Sequence, residues 1–486
     1  MTDSHSEPAA ARPSSMLSEA PASATAVSTP VLAGATPATG SGLHGQPDGA
    51  DTPAIAAPEP LPGNFWLLWL GQFVSGFGSG LTSFGLGIWV VRQTGSEMSF
   101  ALMILCGTLP TLLVTPWVGS VADRLDKRLV LMGSDVLAAC GISVLAWLLF
   151  QNQLQMMHLY VVQVLLSLGL AFQNPAGQAV ITRMVPKRQF GRAGGLFALS
   201  QAVSALFGPL LAVQLISSMG LDHVLLIDLA TFGVSLVCLA LARFPLIERA
   251  RGWSFWRAPL QDMGFAVRFY QRHAGMSQIY GYLTLGGFLA GMVTVLVTPL
   301  VLHIKNPQAL AWIISSAGFG VLLGGLVMAI WGGPKQWDSR LLGLSALEGL
   351  AVAAAGFFSN SFGLCLCAFL VMFSNSMLQA CVMAVWRHKV PMAQQGSVMA
   401  FQRAIELSLM PLSALIGGAL AQYWFEPAML AGGAWVEVLG PWFGIGKGRG
   451  TGVLFTVIGT LVFLMSLAAL SSRRMRTLEA DVPDAF

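Results

Sequence analysis

From Phe65 onward the chain is dominated by apolar runs about as long as a bilayer is thick. A hydrocarbon core of about 30 Å needs roughly 20 apolar residues per helix. Twelve such runs are present, near 65–91, 99–121, 129–150, 158–181, 194–218, 222–242, 276–302, 309–331, 341–358, 362–385, 404–424 and 451–470. They are continuously apolar, without the alternation of barrel strands, which favours helices. Only 10% of the residues are Asp, Glu, Lys or Arg, against about 25% in soluble chains, too few to cover a water-facing surface. The expected fold class is an all-α integral membrane protein with twelve transmembrane helices. For the bulk of the chain this excludes a soluble enzyme, a secreted disulfide scaffold and a disordered protein. The six cysteines lie inside the apolar runs, with no CxxC pair and no His at ligand spacing, so plain buried thiols and no metal are expected.

Basic residues orient the spans. With the amino terminus inside, the inner connections and the carboxyl tail collect 21 Lys and Arg, whereas the outer side has only Arg92, Lys305, Lys447 and Arg449. Such a bias places basic loops in the cytosol, so both termini are expected there, with the protein multi-pass in the plasma (inner) membrane. Residues 1–63 carry six acids, one base and 10 of the 25 prolines. That composition reads as a disordered cytosolic tail without a signal-peptide core.

The spans divide into two related sets. Arg183-Met-Val185-Pro186 with Gly191 recurs as His388-Lys-Val390-Pro391 with Gly396, and Gly119 and Asp135 map onto Gly332 and Glu348. Small and polar residues also recur at steps of 3 or 4 along the first span (Gln72, Ser75, Ser79, Ser83) and the seventh (Thr284, Gly287, Gly291, Thr294, Thr298). A duplicated six-helix unit follows: a first bundle at 64–243, a cytosolic connection at 244–275, a second bundle at 276–470 and a cytosolic tail at 471–486. In parallel-repeat transporters the substrate site lies between the halves near the midplane. The stripes fit either close helix packing or a shared aqueous cavity, and Gln72 tips the first span towards the cavity, because an amide facing lipid is unsatisfied.

After the second span the chain reads Gly119-Ser-Val-Ala-Asp123-Arg124-Leu-Asp126-Lys127-Arg128. This resembles the motif between the second and third helices of the major facilitator superfamily, with Asp126 where a Gly is usual. The resemblance covers about residues 64–478. Asn174-Pro175-Ala176, Arg183, Val185-Pro186, Gly191-Arg192-Ala193, Gly208-Pro209 and Ile227-Asp228 through Phe232 are similar to the branch containing macrolide exporters and the enterobactin exporter, with a partial match to drug/proton antiporters. The resemblance implies a conformational latch of Gly119, Asp123, Arg124, Lys127 and Arg128 against the eleventh helix near Arg403. Asp123 would face a helix amino terminus, where the dipole is positive.

No phosphate-binding loop is present, since Gly446-Lys447 is followed by Gly448, so an ion gradient is the expected energy source and neither enzymatic activity nor a cofactor is expected. Ionisable residues within spans are costly and so are functional candidates: Asp135, Asp228, Glu348 and Glu406. The first, fourth, seventh and tenth spans, which line the cavity in the superfamily, contain no acid. Asp135 and Glu348, about 10 Å from the inner face at 1.5 Å per residue, read better as supports for the two inner-face loops. Glu406 falls one turn after Arg403, read as the start of the eleventh span; it and Asp228 are the favoured proton sites. Gln72, Ser75, Ser79, Gln163, Gln173, Asn174, Gln178, Thr284, Asn375 and Gln379 are cavity candidates. Apolar walls with a few amides suit a small amphipathic solute. Trp66, Trp69 and Trp89 read as interfacial anchors, and the 425–450 connection either lies on the membrane or caps the exit. The expected function is cation-coupled export, most simply with protons, of a small amphipathic molecule such as a drug or a siderophore-like or nonribosomal-peptide-like product. The alternatives are import on the same fold and a non-transporting membrane partner of a biosynthetic complex. The expected partners are lipid, substrate and coupling cation, without nucleic acid, and a monomer is expected.

Overall fold

A computed structural model describes residues 61–122, 126–186, 189–243, 268, 270–271, 274–331, 339–389 and 392–471. Among these, helices form the whole regular structure. The first six long helices are α1 (Gly63–Thr94), α2 (Glu97–Ala122), α3 (Lys127–Phe150), α4 (Met156–Met184), α5 (Phe190–Met219) and α6 (Leu221–Leu241). The second six are α7 (Ala274–Ile304), α8 (Pro307–Trp331), α9 (Ser339–Phe357), α10 (Ser361–Lys389), α11 (Met392–Leu420) and α14 (Arg449–Ser471). A π-turn at Ala421–Phe425 and two short helices, α12 (Glu426–Met429) and α13 (Val436–Phe443), separate the last two. Eleven of the long helices contain a stretch long and apolar enough to cross a membrane, and α9 has a shorter apolar stretch, Leu342–Phe357.

The turns are tight where the sequence permits. Gly95 adopts a left-handed conformation (φ 59°) and its N–H closes on Val91 O, ending α1 two residues before α2 begins. The departure from the loop motif at Asp126 has a local role: its carboxylate accepts the Arg128 N–H at 2.9 Å and caps α3.

Two boundaries differ from the sequence reading. α11 begins at Met392, well before the expected 404, because the helix continues past its apolar stretch through Gln394, Gln395 and Gln402. Glu406 therefore sits several turns inside a helix. The 425–450 connection, for which the sequence reading placed no helix, is folded by α12 and α13.

Helix pairing repeats between the two sets. α1 packs on α5 and α6, α2 on α4, and α3 on α4 and α6; in the same order α7 packs on α11 and α14, α8 on α10, and α9 on α10 and α14. The α9–α14 pair is especially close: a Cβ at Gly349 would meet Gly459 O at 2.8 Å, and one at Gly452 would meet Gly356 O at 2.8 Å. Glycine at such sites lets helix backbones touch.

The turns fall on two faces. The first carries the α1–α2 and α7–α8 turns and the α11–α14 connection; the second carries the α2–α3 turn. Contact between the sets runs through α2 with α7 and α11, α5 with α8, and α1 with α7. Near the first face, Ala101 of α2 lies against Gly418 of α11. Ile88 and Val213 share an apolar cluster with Val301, Leu310 and Ile313. Further along the α5–α8 seam, Ser315 Oγ donates to Leu206 O at 2.6 Å.

Candidate functional site

Each set of six helices encloses a buried acid paired with an amide. Asp135 of α3 is 1% exposed. Its Oδ1 accepts from Gln173 Nε2 of α4 at 2.6 Å, and its Oδ2 accepts from Ser235 Oγ of α6 at 2.7 Å. Glu348 of α9 is also buried, and Oε1 accepts from Asn375 Nδ2 of α10 at 3.5 Å. The acids occupy matching helices, as do the amides. Beside Glu348, the Tyr282 hydroxyl donates to Ser345 Oγ at 2.6 Å and lies 2.8 Å from Ser466 Oγ, tying α7, α9 and α14 together.

Asp228 of α6 is held differently. Oδ1 lies 3.3 Å from Ser79 Oγ of α1 and 3.3 Å from Thr231 Oγ1. The buried hydroxyl of Thr82, also on α1, lies within hydrogen-bonding reach of the same carboxylate. Gly78 brings α1 close enough for this, since a Cβ there would stand 2.9 Å from Asp228 Oδ1.

Two cavities lie along the second set of helices. One of about 150 Å³ is bounded by Tyr280, Thr284, Gly287, Ser345, Glu348, Asn375, Gln379, Gln402 and Glu406 among others. It brings together four sequence candidates from α7, α9 and α10 with Glu406 of α11. The second, about 350 Å³, is lined mostly by aliphatic side chains such as Val293, Val297, Ile314, Val352, Leu364 and Val371, with Ala205 contributed by α5. Its walls on α9 and α10 lie one helical turn from Glu348 and Asn375, so a polar and an apolar chamber are stacked along the same helices.

The other candidates are scattered. Ser75 is buried, whereas Asn174 and Gln178 are exposed and Gln163 is half-buried. Gln72 Nε2 is buried and meets no acceptor among the described residues. Of the proposed latch, Asp123 and Arg124 and the side chain of Arg403 lie outside the described residues. Gly119 belongs to α2, Lys127 is buried at the start of α3, and Arg128 Nη2 donates to Ala240 O at the end of α6 at 2.5 Å. Trp69, read as an interfacial anchor, stacks on Phe73 at 5.5 Å, and Phe73 in turn meets Phe77 at 6.2 Å, an aromatic ladder along α1.

Sequence reasoning missed a polar junction at the first face. Glu97 (3% exposed) opens α2, and its Oε1 lies 3.1 Å from Nδ1 of His303 (10% exposed) near the end of α7. The Glu97 N–H donates to Gln422 Oε1, beyond α11, at 3.1 Å. One residue comes from the first set and two from the second, so this buried cluster crosses the boundary between them. The available signal was an acid in the first turn of an apolar helix, which by itself reads as a dipole partner.

The shared pairing, the mirrored acids and the crossing contacts make one arrangement of two six-helix units, and the model of the Major Facilitator Superfamily matches residues 68–332. The chain belongs to the major facilitator superfamily. As a superfamily member it is a transporter, not an enzyme. Among its relatives is macrolide efflux protein A of Streptococcus pyogenes, 24% identical over 373 residues, covering 74% of this chain and 91% of that protein. Multidrug efflux pump Tap of Mycolicibacterium fortuitum is 24% identical over 369 residues, covering 74% and 89%. In fold it is similar to a bacterial homolog of the human lysosomal transporter Spinster, in an inward-facing and unoccupied conformation (TM-score 0.63, 14% identity, 86% of this chain and 98% of that one). It is likewise similar to the nucleoside transporter NupG (TM-score 0.59, 12% identity, 85% and 100%).

Proposed function

We propose that this superfamily member exports a small amphipathic molecule across the plasma membrane in exchange for protons, by alternating access between the 64–243 and 276–470 bundles. The observation that carries the reading is the pairing of a polar, acid-bearing chamber at Glu348 with an apolar chamber one turn away. Such a site suits a solute with a polar end and a lipophilic body, of drug, siderophore or nonribosomal-peptide character. The efflux names of the relatives support the outward direction. Both termini and the α2–α3 turn are placed in the cytosol, following the basic residues. In that orientation the Glu97–His303–Gln422 junction lies on the outer face and ties the two sets together there.

The carboxyls of Asp135, Asp228, Glu348 and Glu406 are the proposed proton carriers. Asp123 and Arg124, with Gly119, Lys127 and Arg128, form the proposed latch against α11 near Arg403. A monomer suffices for this cycle. The test uses inside-out vesicles containing the chain, offered a panel of amphipathic drugs with the interior made acidic. Uptake of at least one compound that a protonophore abolishes is the expected result; uptake indifferent to any ion gradient defeats the coupling, and loss of preloaded compound from the vesicles under the same gradient reverses the direction.

A further inference from the structure

The chain between α11 and α14 is built around a nearly uncharged amphipathic helix. Between Pro427 and Gly446 the single charged residue is Glu437. α13 divides into three sectors. Leu439 and Phe443 face the protein, where Phe443 is buried and stacks on Phe357 at the end of α9 with ring centroids 4.4 Å apart. Val438 and Trp442 face away and are 72% and 74% exposed, and Trp435 (38%), next to them at helical spacing, meets Phe425 edge-on at 5.3 Å on one side and is open on the other. Glu437 lies about 100° around the helix from Val438, at 3.6 residues per turn, leaving a separate polar edge.

The segment is anchored at its base. The Glu426 carboxylate accepts from the Gly448 and Thr451 N–H groups at 2.9 and 2.7 Å and from the Thr451 hydroxyl at 2.7 Å, fastening α12 to the beginning of α14. The exposed sector is thus a fixed surface. It also continues the flank of the helices that carry the bilayer contact: Tyr423 and Trp424, in the π-turn at the end of α11, are 65% and 70% exposed, and Ile445 beyond α13 is 56% exposed. Trp and Tyr concentrate where a membrane meets water, and a helix with one apolar and one polar edge lies in that plane.

We propose that α13 is a membrane-seated helix, lying in the interfacial layer of the bilayer at the first face with Trp435, Val438 and Trp442 turned into lipid and Glu437 towards water. The occupant of this apolar sector is phospholipid, because the sector is continuous with the lipid-facing flank and has no charge to attract an aqueous partner. The proposal does not depend on transport direction or on the coupling ion.

The test uses the full chain in phosphatidylcholine nanodiscs, comparing tryptophan emission of the wild type with that of Trp442→Phe. Their difference isolates Trp442. Lipids brominated on acyl carbons near the headgroup are expected to quench this difference several-fold more than lipids brominated at the chain ends, while iodide in the bath leaves it nearly unchanged. Quenching by iodide with indifference to bromine places Trp442 in water and overturns the proposal. Indifference to both places it against protein, such as a second copy of the chain, and overturns it equally. Trp435→Phe reads the same sector independently and must give the same pattern, which guards against a local rearrangement in the first variant.

Discussion

At the scale of single residues, the buried carboxyls of Asp135 and Glu348 differ more in their partners than in their depth. Asp135 holds two short hydrogen bonds from neutral donors, and Glu348 holds one long one. Replacing Glu348 by Gln keeps the volume and an acceptor for Asn375 but removes the charge. The protein is expected to fold and still exchange labelled for unlabelled substrate, while accumulation driven by a proton gradient is lost; retention of gradient-driven accumulation removes Glu348 from the coupling. Gly78 offers a test of packing. A methyl there must displace the Thr231 side chain and press on Asp228, so Gly78→Ala should cost about 1–3 kcal/mol, as overpacking does. Gly76→Ala, which meets nothing within 4 Å, is the control, and thermal unfolding in detergent compares the two. The acids were legible in the sequence because charge inside an apolar run is conspicuous. Their partners were less so, because an amide such as Gln173 looks the same whether it faces a cavity or a carboxylate, and only the fold brings α3 and α4 together.

At the scale of elements, the apolar runs placed most helix cores within a few residues, since hydrophobic length is what a bilayer measures. They failed where helix and apolar run part company. α11 starts in polar sequence that hydropathy does not register, and α13 hides among Gly and Pro residues that read as turns. The glycines of α9 and α14 show what packing adds: Gly349 and Gly459 leave no room for a side chain against the opposing backbone. Gly459→Val is expected to separate the two helices and sharply reduce the yield of folded protein, whereas Gly343→Ala, in open space on α9, should be tolerated; equal yields by size-exclusion profile would show the contact to be dispensable. Proline recurs inside the helices that cross between the sets, Pro209 in α5 and Pro411 in α11. Each removes a backbone hydrogen bond and supplies a place to bend.

At the scale of the whole molecule, α2 of one set meets α7 and α11 of the other near the first face. Ala101 and Gly418 come from opposite sets and lie against each other, so the double variant Ala101→Cys with Gly418→Cys is expected to crosslink on oxidation or with a short bifunctional thiol reagent. Crosslinking should arrest transport and reduction should restore it to the level of the unlinked double variant, with Ala101→Cys alone active throughout; transport that continues through the crosslinked form rules out separation of α2 from α11 as part of the cycle. Removing the junction acts in the opposite sense. Glu97→Gln replaces the carboxyl group that faces His303 and is expected to raise the reactivity of a thiol placed at residue 101 towards impermeant reagents added from the first face. No pattern along the chain announces this junction, because residues 97, 303 and 422 share neither a run nor a motif.

The matched carboxyls of Asp135 and Glu348 bear on electrical work. One such group stands in each half, so a cycle that loads both brings in two positive charges. A neutral or singly charged cargo leaving in exchange does not cancel them, and each turnover then produces a net current. At about 2.3 kcal/mol per charge for every 100 mV, a potassium diffusion potential, negative on the cytosolic side and with no pH difference, would be enough to turn such a machine.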